Sequence, residues 1–251
     1  MEGRVVVVTG GTQGIGRAIV ARFVDAGATV VAAARREPDP GQLPGEAGFA
    51  AVDVRDPASA RALIDEVVRR HARLDLLVNN AGGTSFAPAA EITPESFGAI
   101  VELNLVAPFL VAQAANAVMQ EQPEGGHIVN IGSAAAHRAA PGTAAYAAAK
   151  AGLMQLTRAL AIEWAPKVRV NQLTPGLVRT ENAERHYRGP GGLEAVEASI
   201  PLGRMADADD IAGLCLLLAS PLAALVSGAE LIADGGGQRP AWFETLQRVD
   251  G

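Results

Sequence analysis

The sequence predicts a doubly wound α/β fold: a single domain on a parallel seven-stranded sheet with helices on both faces. Three observations point there. Short β-branched runs alternate with longer helical patterns along the chain. The first run, Val5-Val6-Val7-Val8, is apolar without alternation, as suits a strand buried on both faces. A glycine cluster, Thr9-Gly10-Gly11-Thr12-Gln13-Gly14-Ile15-Gly16, follows that run directly and opens a helical pattern.

The elements follow in order. Gly14 to Ala26 reads as a helix, with Ile15, Ile19, Phe23 and Val24 along one side. Thr29 to Ala33 is the second strand and Phe49 to Val54 the third. Between them, 36–48 holds three prolines and three glycines, which forbid the usual crossover helix. Pro57 to His71 is a helix, with Asp56 placed to cap it and Pro57 in its first turn. Leu74 to Val78 is the fourth strand. Pro94 to Gln122 is a long helical region capped by Thr93, with Gly98 and Pro108 placed to bend it. His127 to Ile131 is the fifth strand, and Ala144 to Ala165 an Ala-rich helix stopped by Pro166. Val168 to Leu173, the helix Ala208 to Ala219, and Ala229 to Ala233 complete the pattern. No linker divides 1–237. The stretch 180–205 is expected to cover the substrate, and 238–251 is an irregular tail with Trp242 and Phe243 as its large apolar groups.

Composition narrows the function. Twenty-one Lys and Arg against 27 Asp and Glu give a net charge of −6, which argues against nucleic acid as a partner. The one cysteine, Cys215, allows no internal disulfide, and its leucine-rich setting reads as core. No uninterrupted apolar run approaches the length of a membrane span. A strand-like run from the fourth residue leaves no room for a signal peptide, so a cytoplasmic protein is expected. The four histidines show no metal-ligand spacing, so no metal is expected.

Function starts at the glycine cluster. A turn this tight needs residues without a Cβ, and backbone N–H groups at a helix start suit a phosphate. The spacing G-x-x-x-G-x-G, after a strand and before a helix, points to a dinucleotide. From here the sequence resembles the short-chain dehydrogenase/reductase superfamily, in its compact single-domain branch. Thr9 to Gly16 match its glycine motif, and Asn79-Asn80-Ala81-Gly82 its N-N-A-G. Ser133, Tyr146 and Lys150 match its S…Y-x-x-x-K, and Pro175-Gly176 with Thr180 its P-G-x-x-x-T. The resemblance runs from Arg4 to about Gly236 and implies a Rossmann-type fold and a nicotinamide dinucleotide. It implies cofactor contacts at Gly10, Thr12, Gln13, Gly14, Ile15, Gly16, Asn80, Ala81, Gly82, Tyr146, Lys150, Pro175, Gly176, Val178 and Thr180. Asp53-Val54 resembles the pair that contacts adenine, although Asp53 with Arg55 and Asp56 could instead just turn strand into helix.

At the end of the second strand, the slot for an acid that would bond the ribose 2′-OH holds Ala34, followed by Arg35 and Arg36. Two cations without a carboxylate suit a 2′-phosphate, so NADP(H) is expected over NAD(H). Gln13 stands where the family often places another basic residue and adds no support. Tyr146 and Lys150 are four apart on one helix and share a face. The ammonium is expected to lower the phenol's pKa and make Tyr146 a proton donor-acceptor at neutral pH. Ser133, just past a strand end, is expected to hydrogen-bond the substrate oxygen. Asn104 matches the branch's helix asparagine, expected to link Lys150 to solvent through water; as a helix-interior amide it could instead satisfy backbone. His137 and Arg138, with Arg185 or Arg188, could meet an anionic substrate. The resemblance implies hydride transfer to a small-molecule carbonyl or from an alcohol, with a ketone or 3-oxoacyl thioester expected; a steroid, sugar alcohol or other small alcohol fits nearly as well. A regulatory protein that senses NADP(H) without turnover, or another enzyme class on the fold, are the alternatives. It also implies a homodimer or homotetramer built on the helices 94–122 and 144–165.

Overall fold

The structure, a computed structural model, describes residues 1–138, 140–181 and 192–239. Arg185, His186, Arg188, Trp242 and Phe243, part of the expected substrate cover and tail, lie outside the described residues. The strands are β1 (Val5–Thr9), β2 (Thr29–Ala34), β3 (Gly48–Ala51), β4 (Leu76–Asn79), β5 (Gly126–Ile131), β6 (Val168–Pro175), β7 (Val178–Arg179), β8 (Ala206–Asp207) and β9 (Glu230–Ala233). The helices are α1 (Gly14–Asp25), α2 (Pro57–His71), α3 (Pro94–Val101), α4 (Ala107–Glu121), α5 (Ala144–Glu163), α6 (Gly192–Ser199) and α7 (Ala208–Ala219). Seven strands form one parallel sheet in the order β3-β2-β1-β4-β5-β6-β9. The chain runs from β1 outward to β3, then returns to β4 on the other side of β1. That reversal opens a crevice at the carboxyl ends of β1 and β4.

Alternation along β1 sorts the two cores. Val5 and Val7 pack with Ile64, Leu77, Val111, Met119 and Leu160 under α2, α4 and α5. Val6 and Val8 pack with Ile19, Phe23, Leu76, Ile211 and Cys215 under α1 and α7. With both faces covered, a continuous valine run is the right strand, and Cys215 is a buried packing residue.

Asp56 caps α2, accepting from Ala58 N at 3.2 Å and Ser59 N at 3.1 Å, and Thr93 caps α3 through Ser96 N. The connection 36–48 forms no helix. Leu43 and Ala47 pack beside Val24 of α1 in its place.

Several boundaries differ from the sequence reading. The third strand ends at Ala51 rather than Val54, because Asp53 turns the chain: its carboxylate accepts Arg55 N and its carbonyl accepts Asp56 N. The fourth starts at Leu76, since the Gln122 side chain takes both the N–H and the carbonyl of Leu74. The sixth runs on to Pro175 because β9 pairs along its end. The short β7–β8 pair and α6 were not anticipated. The long helix is interrupted between Gly98 and Pro108 by a π-helical turn, Glu102–Val106, and Pro108 stands in the first turn of the helix that follows. No uninterrupted apolar run reaches the length of a membrane span, as expected, but one interrupted helical stretch meets that length and mean apolarity. The helical stretch Pro94–Glu121 is 28 residues long, and an 18-residue window of it reaches a mean hydropathy of 1.6, long and apolar enough by length and composition. In the fold Ala107, Val111, Ala115 and Met119 press it into the core beneath the sheet.

Candidate active site

The crevice at the strand ends holds a cleft of about 370 Å³. The glycine loop forms its floor. Gly10 and Gly14 have φ of +64° and +51°, where a Cβ would strain the backbone. Gly16 is buried against the Gly10 carbonyl, and an added Cβ would overlap that oxygen. Gln13, at the N-cap of α1, makes no side-chain cap, and the first turn carries no acid. Among the described residues the first N–H groups of this three-turn helix thus receive no side-chain cap from Gln13 and lie at the cleft, as an anion site requires. This cradle fits a dinucleotide pyrophosphate.

Thr9 ties the floor to the neighbouring wall. Its Oγ1 accepts from Asn80 N and Ala81 N, each at 3.0 Å. Asn80 Nδ2 returns donors to Thr9 O at 3.0 Å and Gly10 O at 3.1 Å. The turns after β1 and β4 are one hydrogen-bonded unit. Below it Asn79 Nδ2 bonds Pro108 O and Asn130 Oδ1, each at 3.0 Å, joining β4 to α4 and β5.

Ser133 and Tyr146 face each other across the cleft, and Lys150 stands one turn deeper. Ser133 caps a short 3₁₀ turn, its Oγ accepting Ala135 N at 3.2 Å. Lys150 is buried, donates to Ile131 O at 2.8 Å, and lies 5.7 Å from the Tyr146 ring centre. Burial draws its pKa down to about 8. For Tyr146 the sequence reading needs correction: burial pushes the phenol up, and the Ser133 hydrogen bond only opposes this. In the chain alone desolvation of the phenolate is the larger influence, and Lys150 carries its own desolvation penalty.

Of the other expected contacts, Gly10, Gln13, Gly14, Ile15 and Gly16 line the cleft with Asn80, Ala81, Gly82, Pro175, Gly176, Val178 and Thr180. Thr12, Arg35, Arg36, Asp53, Val54 and Asn104 lie outside its lining. Arg35 and Arg36 are exposed just past β2, at the carboxyl rim of the sheet. Val54 is buried in the core. Asp53 pairs with Arg55 at 2.6 Å, and its carboxyl is held at about 2, first by that hydrogen-bonded partner. Asn104 sits in the π turn with its amide spent on backbone: it donates to Gly83 O at 2.8 Å and Ile100 O at 2.9 Å and accepts Gly83 N at 3.1 Å. It props the Gly82–Gly83 turn beside Lys150, since a Cβ on Gly82 would lie 2.9 Å from its Oδ1 and 3.5 Å from Lys150 Nζ.

His137 and Arg138 are not free cations waiting for an anionic substrate. His137 Nε2 lies 2.7 Å from Glu230, and Arg138 pairs with Asp234 at 3.0 Å. Among the described residues no His, Cys, Asp or Glu cluster of metal-binding size occurs. The sequence reading gave no role to Gly83 or Gly132, placed Thr9 only within the glycine motif, and placed Glu181 only within the substrate cover. Thr9 could have been found as a hydroxyl between a buried strand and its first glycine. Glu181, which lines the mouth and pairs with Arg17 at 2.8 Å, carries no such signal.

Residues 10–238 match a family model described as enoyl-(acyl carrier protein) reductase. The chain is 39% identical over 244 residues to D-threitol dehydrogenase of Mycolicibacterium smegmatis, spanning 94% of this chain and 93% of that protein. It is 33% identical over 244 residues to the 3-oxoacyl-[acyl-carrier-protein] reductase FabG of Thermotoga maritima, spanning 94% and 98%. The solved structure of ligand-free aldohexose dehydrogenase from Thermoplasma acidophilum superposes with a TM-score of 0.88, at 27% identity over 94% of each chain. Matched in this way from its glycine loop to its last strand, the chain belongs to the short-chain dehydrogenase/reductase family and is an oxidoreductase of alcohols or carbonyls that works with NAD(P).

Proposed function

We propose that the chain transfers hydride between NADP(H) and a ketone or secondary alcohol, with a ketone or 3-oxoacyl thioester as the substrate to be reduced. The observation that carries this is the meeting of Ser133, Tyr146 and Lys150 in one cleft with the uncapped start of α1. When bound, the nicotinamide supplies or accepts the hydride. The chain's own groups do the rest. The N–H groups of the glycine loop hold the pyrophosphate, and Pro175, Gly176, Val178 and Thr180 wall the nicotinamide end. Ser133 donates a hydrogen bond to the substrate oxygen, and Tyr146 gives that oxygen its proton. The Lys150 ammonium stabilises the phenolate left behind, which matters because burial alone disfavours it. Asn104 keeps the Gly83 backbone in place beside that lysine. Arg35 takes the 2′-phosphate, with Arg36 beside it. Two or four copies meet through 94–122 and 144–165.

A small polyol is the second substrate reading, carried by the likeness to D-threitol dehydrogenase. The test is a panel of ketones, 3-oxoacyl thioesters and polyols with NADPH, NADH and their oxidised forms. NADPH-dependent reduction of a ketone or thioester is expected. Polyol oxidation alone moves the assignment to the second reading. Binding of dinucleotide with no turnover on any substrate overturns an enzymatic role and leaves a sensor.

A further inference from the structure

The carboxyl rim beside β2 carries three charged groups within a few residues of one another. Ala34 pairs with Ala51 across β2 and β3, and Val52 N donates to Ala34 O at 2.9 Å. Carried one step further, that register sets Arg35 opposite Val52, one residue before Asp53, and the charge of Arg35 is felt at the Asp53 carboxylate. Arg55 holds that carboxylate. Its Nε lies 3.0 Å from Oδ1, its Nη2 2.6 Å from Oδ2, and its backbone N 3.1 Å from Oδ1. Glu102 of the π turn attracts Arg55 from a second element. Among the described residues Arg35 makes no ion pair.

We propose that Arg55 is a cofactor-selecting residue: by occupying the Asp53 carboxylate in a forked pair, it leaves the Arg35 guanidinium available to a 2′-phosphate. The inference rests on the proposed role of Arg35 and extends it. An unmasked Asp53 would act against a 2′-phosphate twice, by capturing Arg35 and by repelling the phosphate's own charge. A forked pair is a geometric match that lysine would not reproduce. The mask costs no helix stability, since the α2 cap is made by Asp56 and not by Asp53. Arg55 thus acts through Asp53 and Arg35 and is a positioning residue, not one that touches the reacting atoms.

The test is direct binding, read by fluorescence titration of NADPH and NADH on the whole chain. The variants are Arg35→Ala, Arg55→Ala, Asp53→Asn and Asp53→Asn/Arg55→Ala, each checked for fold by circular dichroism. Arg55→Ala is expected to weaken NADPH about five- to tenfold more than NADH, the size of one screened charge acting near a surface. The double variant, which removes the unmasked carboxylate, is expected to restore the NADPH-to-NADH ratio to within about twofold of wild type, inside the usual error of additive effects. If Arg35→Ala shifts the ratio and Arg55→Ala does not, the inference fails and the Arg35 assignment stands. A ratio that Arg35→Ala leaves unchanged ends both. A double variant no better than Arg55→Ala alone also overturns the inference, because the loss then comes from something other than the bared Asp53.

Discussion

Lys150 is a charged group that the fold buries without a counter-ion among the described residues, and Lys150→Met measures what that costs. The ordinary lysine value is 10.5 and the buried one about 8. At about 1.36 kcal/mol per pH unit, the folded chain gives up about 3 kcal/mol at pH 7 to keep the ammonium inside. Removing the side chain's nitrogen also removes its 2.8 Å bond to Ile131 O, worth about 1 kcal/mol. The methionine variant is therefore expected to be more stable than wild type by about 2 kcal/mol at pH 7. The sign with pH follows from proton counting. Between about 8 and 10.5 the unfolded wild-type chain holds more protons than the folded one, so wild-type stability gains from this group as pH rises. The advantage of the variant should then shrink to about zero by pH 10, where most of the penalty has gone. Urea unfolding of both cofactor-free proteins at pH 7 and pH 10 decides it. A variant less stable than wild type at pH 7, or an equal difference at both pH values, refutes the reasoning. The variant should also lose turnover, which marks the lysine as stability given up for activity.

Three further predictions concern the cleft. Tyr146→Phe keeps the ring and removes the proton donor, so kcat should fall at least about 100-fold; a smaller loss in steady-state assays removes Tyr146 from the chemistry. Gly16→Ala places a Cβ against the Gly10 carbonyl and 2.5 Å from Asn80 Nδ2. It should abolish dinucleotide binding and destabilise the fold by about 1–3 kcal/mol, and an unchanged titration curve would show that the cradle is not the binding floor. Thr9→Val leaves the N–H groups of Asn80 and Ala81 without their acceptor, a loss of about 2 kcal/mol or more in urea unfolding; a change under about 0.5 kcal/mol counts against the shared turn.

What could be read from residues alone follows from the range of the forces involved. The Val5–Val8 run, the caps Asp56 and Thr93 and the prolines of 36–48 act over a few residues, so their placement was legible. The spacing of Tyr146 and Lys150 was legible for the same reason, since four residues on a helix fix a shared face. The direction of the Tyr146 shift was not. It depends on how much surface the surrounding loops remove from water, a quantity of the whole fold. The pairing of His137 with Glu230 and Arg138 with Asp234 spans more than 90 residues of sequence, and no local pattern announces it. The early end of β3 was half visible, because an aspartate two residues before an arginine can turn a chain but need not. The π turn had one local signal, Pro108 just beyond it, whose missing N–H breaks the regular ladder without saying how the chain responds.

That turn has a consequence for the helix that carries it. One surplus residue advances everything after it by about 100° relative to an unbroken spiral. The turn itself can therefore aim Asn104 at the Gly83 loop, while downstream Ala107, Val111 and Ala115 swing round to lie flat beneath the strands. A regular helix of the same sequence would satisfy one of these neighbours and turn its back on the other. The insertion works as a phase shifter, letting a single rod serve a polar hinge at one end and an oily floor at the other.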